Sequence, residues 1–185
     1  MRNQLFEMSK TNKKIIGMRL YRDGDDFWLG YIEDYNDEII QFRLFDSLGN
    51  EDGVVIEKQE NIESIDFDSD YEKTYECLVN SMNNLDIVEE IVSFKNSADW
   101  KKEYLEEFRQ RNEIISFKVG AENVIYGYVL DLTDKEFTIN GVSNIGKEEG
   151  KTIYKIDDIK TLRFASVICK LREKFNNWRK EKNCC

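Results

Sequence analysis

The chain of 185 residues contains no histidine and no proline. The first absence removes the commonest general base and metal ligand. The second leaves every turn to glycine, asparagine and aspartate. Cysteine is scarce: Cys77, Cys169, Cys184 and Cys185 are all there are, and no two have the C-x-x-C spacing of a zinc knuckle or redox site. Cys77 and Cys169 fall in expected helices, where a buried small hydrophobe is the default. Cys184-Cys185 reads as a frayed, oxidisable tail. No apolar run approaches the ~18 residues of a membrane span, and Met1-Arg2-Asn3-Gln4 holds no signal-peptide core. The expectation is therefore a soluble, cytoplasmic, non-enzymatic protein with no catalytic residue, cofactor, metal or membrane contact.

What is present is a repeat. Placing Gly30 on Gly127, an offset of 97, also sets Tyr31 on Tyr128, Asp34 on Asp131 and Asp37 on Asp134. The same offset sets Gly49 on Gly146, Glu51 on Glu148 and Gly53 on Gly150. Upstream, Ile15-Ile16 meets Ile114-Ile115 at an offset of 99, so the length change falls in the turn Arg22-Asp23-Gly24-Asp25-Asp26. A difference confined to a turn is what a structural repeat tolerates. The expected units are residues 1–93 and 94–185.

Each unit reads as five strands between two helices. In the first, Ile16, Met18 and Leu20 alternate with other residues, and strands follow over Phe27–Tyr35, Ile39–Phe45, Val54–Ile56 and Ile62–Phe67. The second repeats them over Ile114–Val119, Val124–Leu132, Phe137–Ile139, Thr152–Ile156 and Ile159–Phe164. Ser69-x-x-Glu72 opens a helix as a capping box, with Tyr71, Tyr75, Leu78 and Met82 at helical spacing. Its counterpart carries Ile168, Leu171, Phe175 and Trp178. Ahead of the second strand set, Trp100, Tyr104 and Phe108 recur every fourth residue. Both aromatic stripes predict core faces. Gly49, Gly53, Gly146 and Gly150 bracket two hairpins and are expected to supply positive φ there.

Gly30-x-Ile32 with Tyr35 and Ile39, repeated as Gly127-x-Val129 with Leu132, resembles the apolar skeleton of the first Sm motif. Ile62-x-x-Ile65 and Ile159-x-x-Leu162 resemble the second. The resemblance is to bacterial proteins of the Sm-like or SH3-like small-barrel type. It implies an α+β fold of two tandem five-stranded barrels with flanking helices. The family's RNA-contacting Asp and Asn would fall on Asn36 and Ile40, and in the second copy on Thr133 and Phe137, so that chemistry does not carry over.

Charge separates the two copies. Residues 1–93 hold nine Lys/Arg and twenty-two Asp/Glu, a net of −13; residues 94–185 hold eighteen and fifteen, a net of +3. Asp66-Phe67-Asp68-Ser69-Asp70 places acids on alternate residues, which reads as a solvated strand exit rather than a cation site. The acids Asp23, Asp25, Asp26, Asp34, Asp37, Glu38, Asp66, Asp68 and Asp70 are the candidate docking residues for a basic protein partner, in the manner of immunity proteins that neutralise basic toxins. The alternative is an Sm-like nucleic-acid-binding regulator using the basic helix around Lys170, Arg172, Lys174, Arg179 and Lys180.

Overall fold

The computed structural model describes residues 1–21, 27–82, 92–120 and 123–181. The chain divides into two units, Met1–Phe94 and Lys95–Cys185. The first contains α1 (Arg2–Asn12), β1 (Ile16–Leu20), β2 (Phe27–Tyr35), β3 (Ile39–Phe45), β4 (Glu51–Lys58), β5 (Ile62–Asp66) and α2 (Asp70–Met82). The second contains α3 (Trp100–Arg111), β6 (Ile114–Val119), β7 (Asn123–Leu132), β8 (Glu136–Val142), β9 (Glu148–Lys155), β10 (Ile159–Phe164) and α4 (Val167–Glu181). A short 3₁₀ turn joins the last two strands of each unit, at Gln59–Asn61 and Ile156–Asp158. The fourth strand of each unit is longer than its apolar run, because hairpin pairing continues into polar residues.

The units repeat each other register for register. Strand order is β5-β1-β2-β3-β4 in the first and β10-β6-β7-β8-β9 in the second. Ile16 faces Gly30 as Ile115 faces Gly127. Met18 faces Ile65 as Phe117 faces Leu162, and Ile40 faces Glu57 as Phe137 faces Tyr154. Even the bulges coincide, between Ile32 and Asp34 and between Val129 and Asp131. Beside each bulge the glycine is obligatory: a Cβ on Gly30 would lie 1.7 Å from the Arg43 carbonyl oxygen, and one on Gly127 2.2 Å from that of Asn140. The irregular joints recur too. Lys13 and Asn112 close α1 and α3 in the left-handed region at φ 50° and 53°, and Asp68 and Ala165 enter α2 and α4 at φ 63° and 55°.

The sheets are open, which corrects the expectation of two closed Sm/SH3-like barrels. Among the described residues no ladder joins β4 to β5 or β9 to β10. The reason lies in the faces. A closed barrel buries one face of each strand, whereas all seven residues of β3 are buried. On one face of the first sheet α1 places Leu5 and Phe6 against Ile16, Met18, Ile32, Phe42 and Val55. On the other, α2 places Tyr75 and Val79 against Ile15, Leu29, Tyr31 and Phe45. Two helices thus do the covering that closure would otherwise do.

α2 begins as its capping box requires. Ser69 Oγ accepts from the Tyr71 N–H at 3.2 Å, and Glu72 Oε2 accepts from the Ser69 N–H at 2.9 Å. In the second unit Trp100, Tyr104 and Phe108 are buried. Phe108 and Phe164 have ring centroids 4.7 Å apart, and Tyr104 stacks on Phe164 at 6.2 Å. The hairpin glycines Gly49, Gly53, Gly146 and Gly150 have φ of 82°, 84°, 73° and 99°. Gly146 carries a second demand: a Cβ there would lie 2.5 Å from the backbone of Phe175 and Asn176, so α4 seats directly on this turn.

Candidate interaction surface

The two units differ most in the helix that closes each one. Offset 97 places Tyr75 and Val79 of α2 at the positions of Arg172 and Asn176 of α4. In the first unit these inward positions are apolar and join the core. In the second they are polar, and each finds a backbone partner. Asn176 Nδ2 donates to the Gly146 carbonyl at 3.0 Å. Arg179 Nε donates to the Ile145 carbonyl at 2.9 Å, and Arg172 Nη1 to that of Val142. The Arg172 guanidinium also lies over the Tyr126 ring, 3.9 Å from its centroid. Among these groups sits Cys169, buried against Ile114, Tyr128 and Val142. Burial pushes its thiol pKa up, and burial likewise pushes the Tyr128 hydroxyl up to about 12.

The apolar side chains of α4 consequently face water. Ile168 and Leu171 are each 46% exposed, Phe175 40% and Trp178 53%. This corrects the expectation that Phe175 and Trp178 are core residues. Helical spacing reveals a stripe but not the direction in which it points. Here the carbonyls of Val142, Ile145 and Gly146 require donors, and Arg172, Asn176 and Arg179 supply them, which turns the stripe outward. Lys170 and Lys174 are exposed on the same helix. Cys77 of α2 is exposed as well, contrary to the buried position expected for it.

The basic helix is not a free cationic strip. Arg172 and Arg179 point inward, and Lys180 pairs with Glu148 at 3.0 Å. Two of the five cations named for nucleic acid are thereby spent on carbonyl groups and a third on a carboxylate.

The acids of the first unit are likewise partly engaged. Asp34 pairs with Lys10 at 2.7 Å, Asp66 with Arg19 at 2.5 Å and Asp68 with Lys14, while Glu38 lies 4.0 Å from Lys58. Asp37, Glu38 and Asp70 are exposed. Asp23, Asp25 and Asp26, with the rest of their turn, lie outside the described residues, as do the turn residues Ala121 and Glu122, the Cys184-Cys185 pair and the side chain of Met82.

One depression of about 450 Å³ in the first unit is lined by Lys10, Tyr31, Asp34, Gln41 and Arg43, among others. Its polar groups are committed to one another. The Arg43 guanidinium pairs with Glu33 and Glu51, Gln41 Nε2 donates to Glu33 at 2.8 Å and to the Val92 carbonyl at 3.1 Å, and Lys10 holds Asp34. The sequence reading missed this network, since alternation in Ile40-Gln41-Phe42-Arg43-Leu44 marks Gln41 and Arg43 as solvent-facing. Among the described residues, no group of three Cys, Asp or Glu is placed to share a metal ion, and no helix is long and apolar enough to cross a membrane.

Compared with known protein families, curated proteins and solved structures, the chain matches none.

Proposed function

We propose that the chain is a non-enzymatic interaction protein whose two units serve different partners. The observation that carries this reading is the divergence of α2 from α4. Duplicated helices that only closed their own sheets would both turn apolar residues inward. α2 turns Tyr75 and Val79 inward and leaves Tyr71 exposed, while α4 holds its sheet through polar contacts and exposes Leu171, Phe175 and Trp178 besides Ile168. Contiguous exposed apolar residues mark an interaction surface. The first unit contributes the opposite kind of surface. Its net charge of −13 suits a basic protein partner, as immunity proteins suit theirs.

The acidic half is tested with a lysine-rich peptide as the basic probe, its association rate measured at low and at physiological salt. Exposed charges act over a Debye length of about 8 Å at physiological ionic strength. The wild-type rate is therefore expected to fall as salt rises. Asp37→Lys, Glu38→Lys and Asp70→Lys together should slow association at low salt on the order of tenfold and flatten its salt dependence. The thermal midpoint should fall only slightly, because all three side chains are exposed and the main loss is that of Asp70 as a first-turn acid of α2. Equal rates for the wild type and the triple variant contradict the reading. So does tighter binding to single-stranded RNA than to the peptide at physiological salt.

A further inference from the structure

The outward stripe of α4 has a definite period. Ile168, Leu171, Phe175 and Trp178 stand at i, i+3, i+7 and i+10. That is the two-in-seven seam of a coiled coil, widened only in its first turn by the exposed Val167. A seam of this width fits one other helix. From this geometry and the charge beside it we infer that α4 docks an amphipathic helix of a partner protein, with apolar residues along its seam and carboxylates flanking them. The inference rests on the reading of the second unit as an interaction unit, and names what that unit binds.

Charge decides between this occupant and two others. Lys170 and Lys174 are exposed beside the seam, and Lys174 lies between Leu171 and Phe175, near the seam's midpoint. If two copies of the chain paired α4 with α4 about a two-fold axis in the antiparallel sense, the midpoint of one seam would meet the midpoint of the other. Lys174 would then stand against its own symmetry mate, and like charges across a helix pair disfavour it. A partner helix with Glu or Asp at its flanking positions meets the same lysines with opposite charge. An anionic lipid surface would also attract them, but membrane-surface helices bury a wide apolar face with a strongly cationic opposite face. On α4 one flank of the seam is occupied by its own sheet, through Cys169 and Asn176, which leaves no room for a wide apolar face. The net charge of −10 further opposes approach to an anionic surface.

The test uses the full chain and two designed peptides of about three heptads. Both carry Leu at a and d; one has Glu at its e and g positions and the other Lys. Binding is followed by calorimetry at physiological salt. The acidic peptide is expected to bind at least tenfold more tightly than the basic one. Phe175→Ser with Trp178→Ser should remove that binding, and Lys170→Glu with Lys174→Glu should reverse the preference. Thermal midpoints of the lysine variants and of Trp178→Ser alone should match the wild type, since those side chains are exposed, while Phe175→Ser, at the Gly146 turn, is expected to lower it by a few degrees. Four outcomes overturn the inference: no binding of either peptide, equal binding of both, α4-dependent dimerisation in sedimentation equilibrium, or binding to phosphatidylglycerol vesicles that Trp178→Ser abolishes. The lysine-rich probe of the first unit is measured on the same variants. If its salt-dependent association persists while the acidic peptide fails, the inference about α4 falls and the interaction role of the first unit stands.

Discussion

Replacing Arg43 with alanine is expected to destabilise the first unit by about 3–5 kcal/mol, the usual cost of removing one partner from a buried ion pair. Arg43 is 4% exposed. Its guanidinium contacts carboxylates of Glu33 and Glu51, whose side chains are 18% and 15% exposed. Burial works against the charge, yet the two carboxylates hold the guanidinium above its ordinary pKa. Alanine would leave both carboxylates in a poorly hydrated site with no counter-charge. It would also disturb Gln41, whose amide bridges Glu33 and the Val92 carbonyl. Denaturant unfolding checks the figure. The companion variant is Arg43→Met with Glu33→Gln and Glu51→Gln, which removes all three charges together. It should recover most of the loss, because replacing a whole buried network by neutral groups is often close to neutral in stability. A loss under about 1 kcal/mol for Arg43→Ala, as for an exposed pair, would show that water reaches this network.

A comparable loss, about 3–5 kcal/mol, is expected for Phe108→Ala in the second unit. The Phe108 ring is fully buried and packs on Phe164 at 4.7 Å. Its removal loses the transfer free energy of the ring and leaves a cavity beneath α3. Trp178→Ser removes an even larger side chain, yet its expected effect lies within about 0.5 kcal/mol, because Trp178 is 53% exposed and outside the core. The contrast between the two aromatics is more informative than either value. Equal losses would place Trp178 in the core and return α4 to an ordinary amphipathic helix.

The strands were legible in the sequence because a period of two marks them wherever one face differs from the other. The repeat was legible because Gly30 and Gly127 occupy a close backbone approach that no other residue can take. Closure was not legible. An open sheet covered by helices and a small barrel share the same alternation, and only the burial of both faces of β3 separates them. Gln41 and Arg43 show the same blindness locally: they alternate as solvent-facing residues do, and the contacts that bury them come from Glu33, Glu51 and Val92. In α4 the apolar stripe was visible and its direction was not. The missing signal was the second stripe, Arg172, Asn176 and Arg179 at i, i+4 and i+7. Its donors match the open carbonyls of Val142, Ile145 and Gly146, a demand set by a hairpin 30 residues or more away in sequence.

The orientation of α4 is reported most directly by Cys169, which sits on the inward side of the helix with Asn176, away from Phe175 and Trp178. The measurement is thiol labelling of a Cys77→Ser, Cys184→Ser, Cys185→Ser variant, in which Cys169 is the remaining thiol. Burial, opposed only in part by hydrogen bonds from Ser166 and Ser116 and by nearby Arg163, raises its pKa. The folded state therefore favours the neutral thiol, an effect fully present below the thiol's ordinary pKa and lost as pH rises through the raised one. The account predicts that Cys169 resists labelling near neutral pH while the chain is folded, and reacts fully once denaturant unfolds it. Rapid labelling of Cys169 in the folded chain would contradict it, since an α4 with Phe175 and Trp178 packed inward would turn this thiol out to solvent.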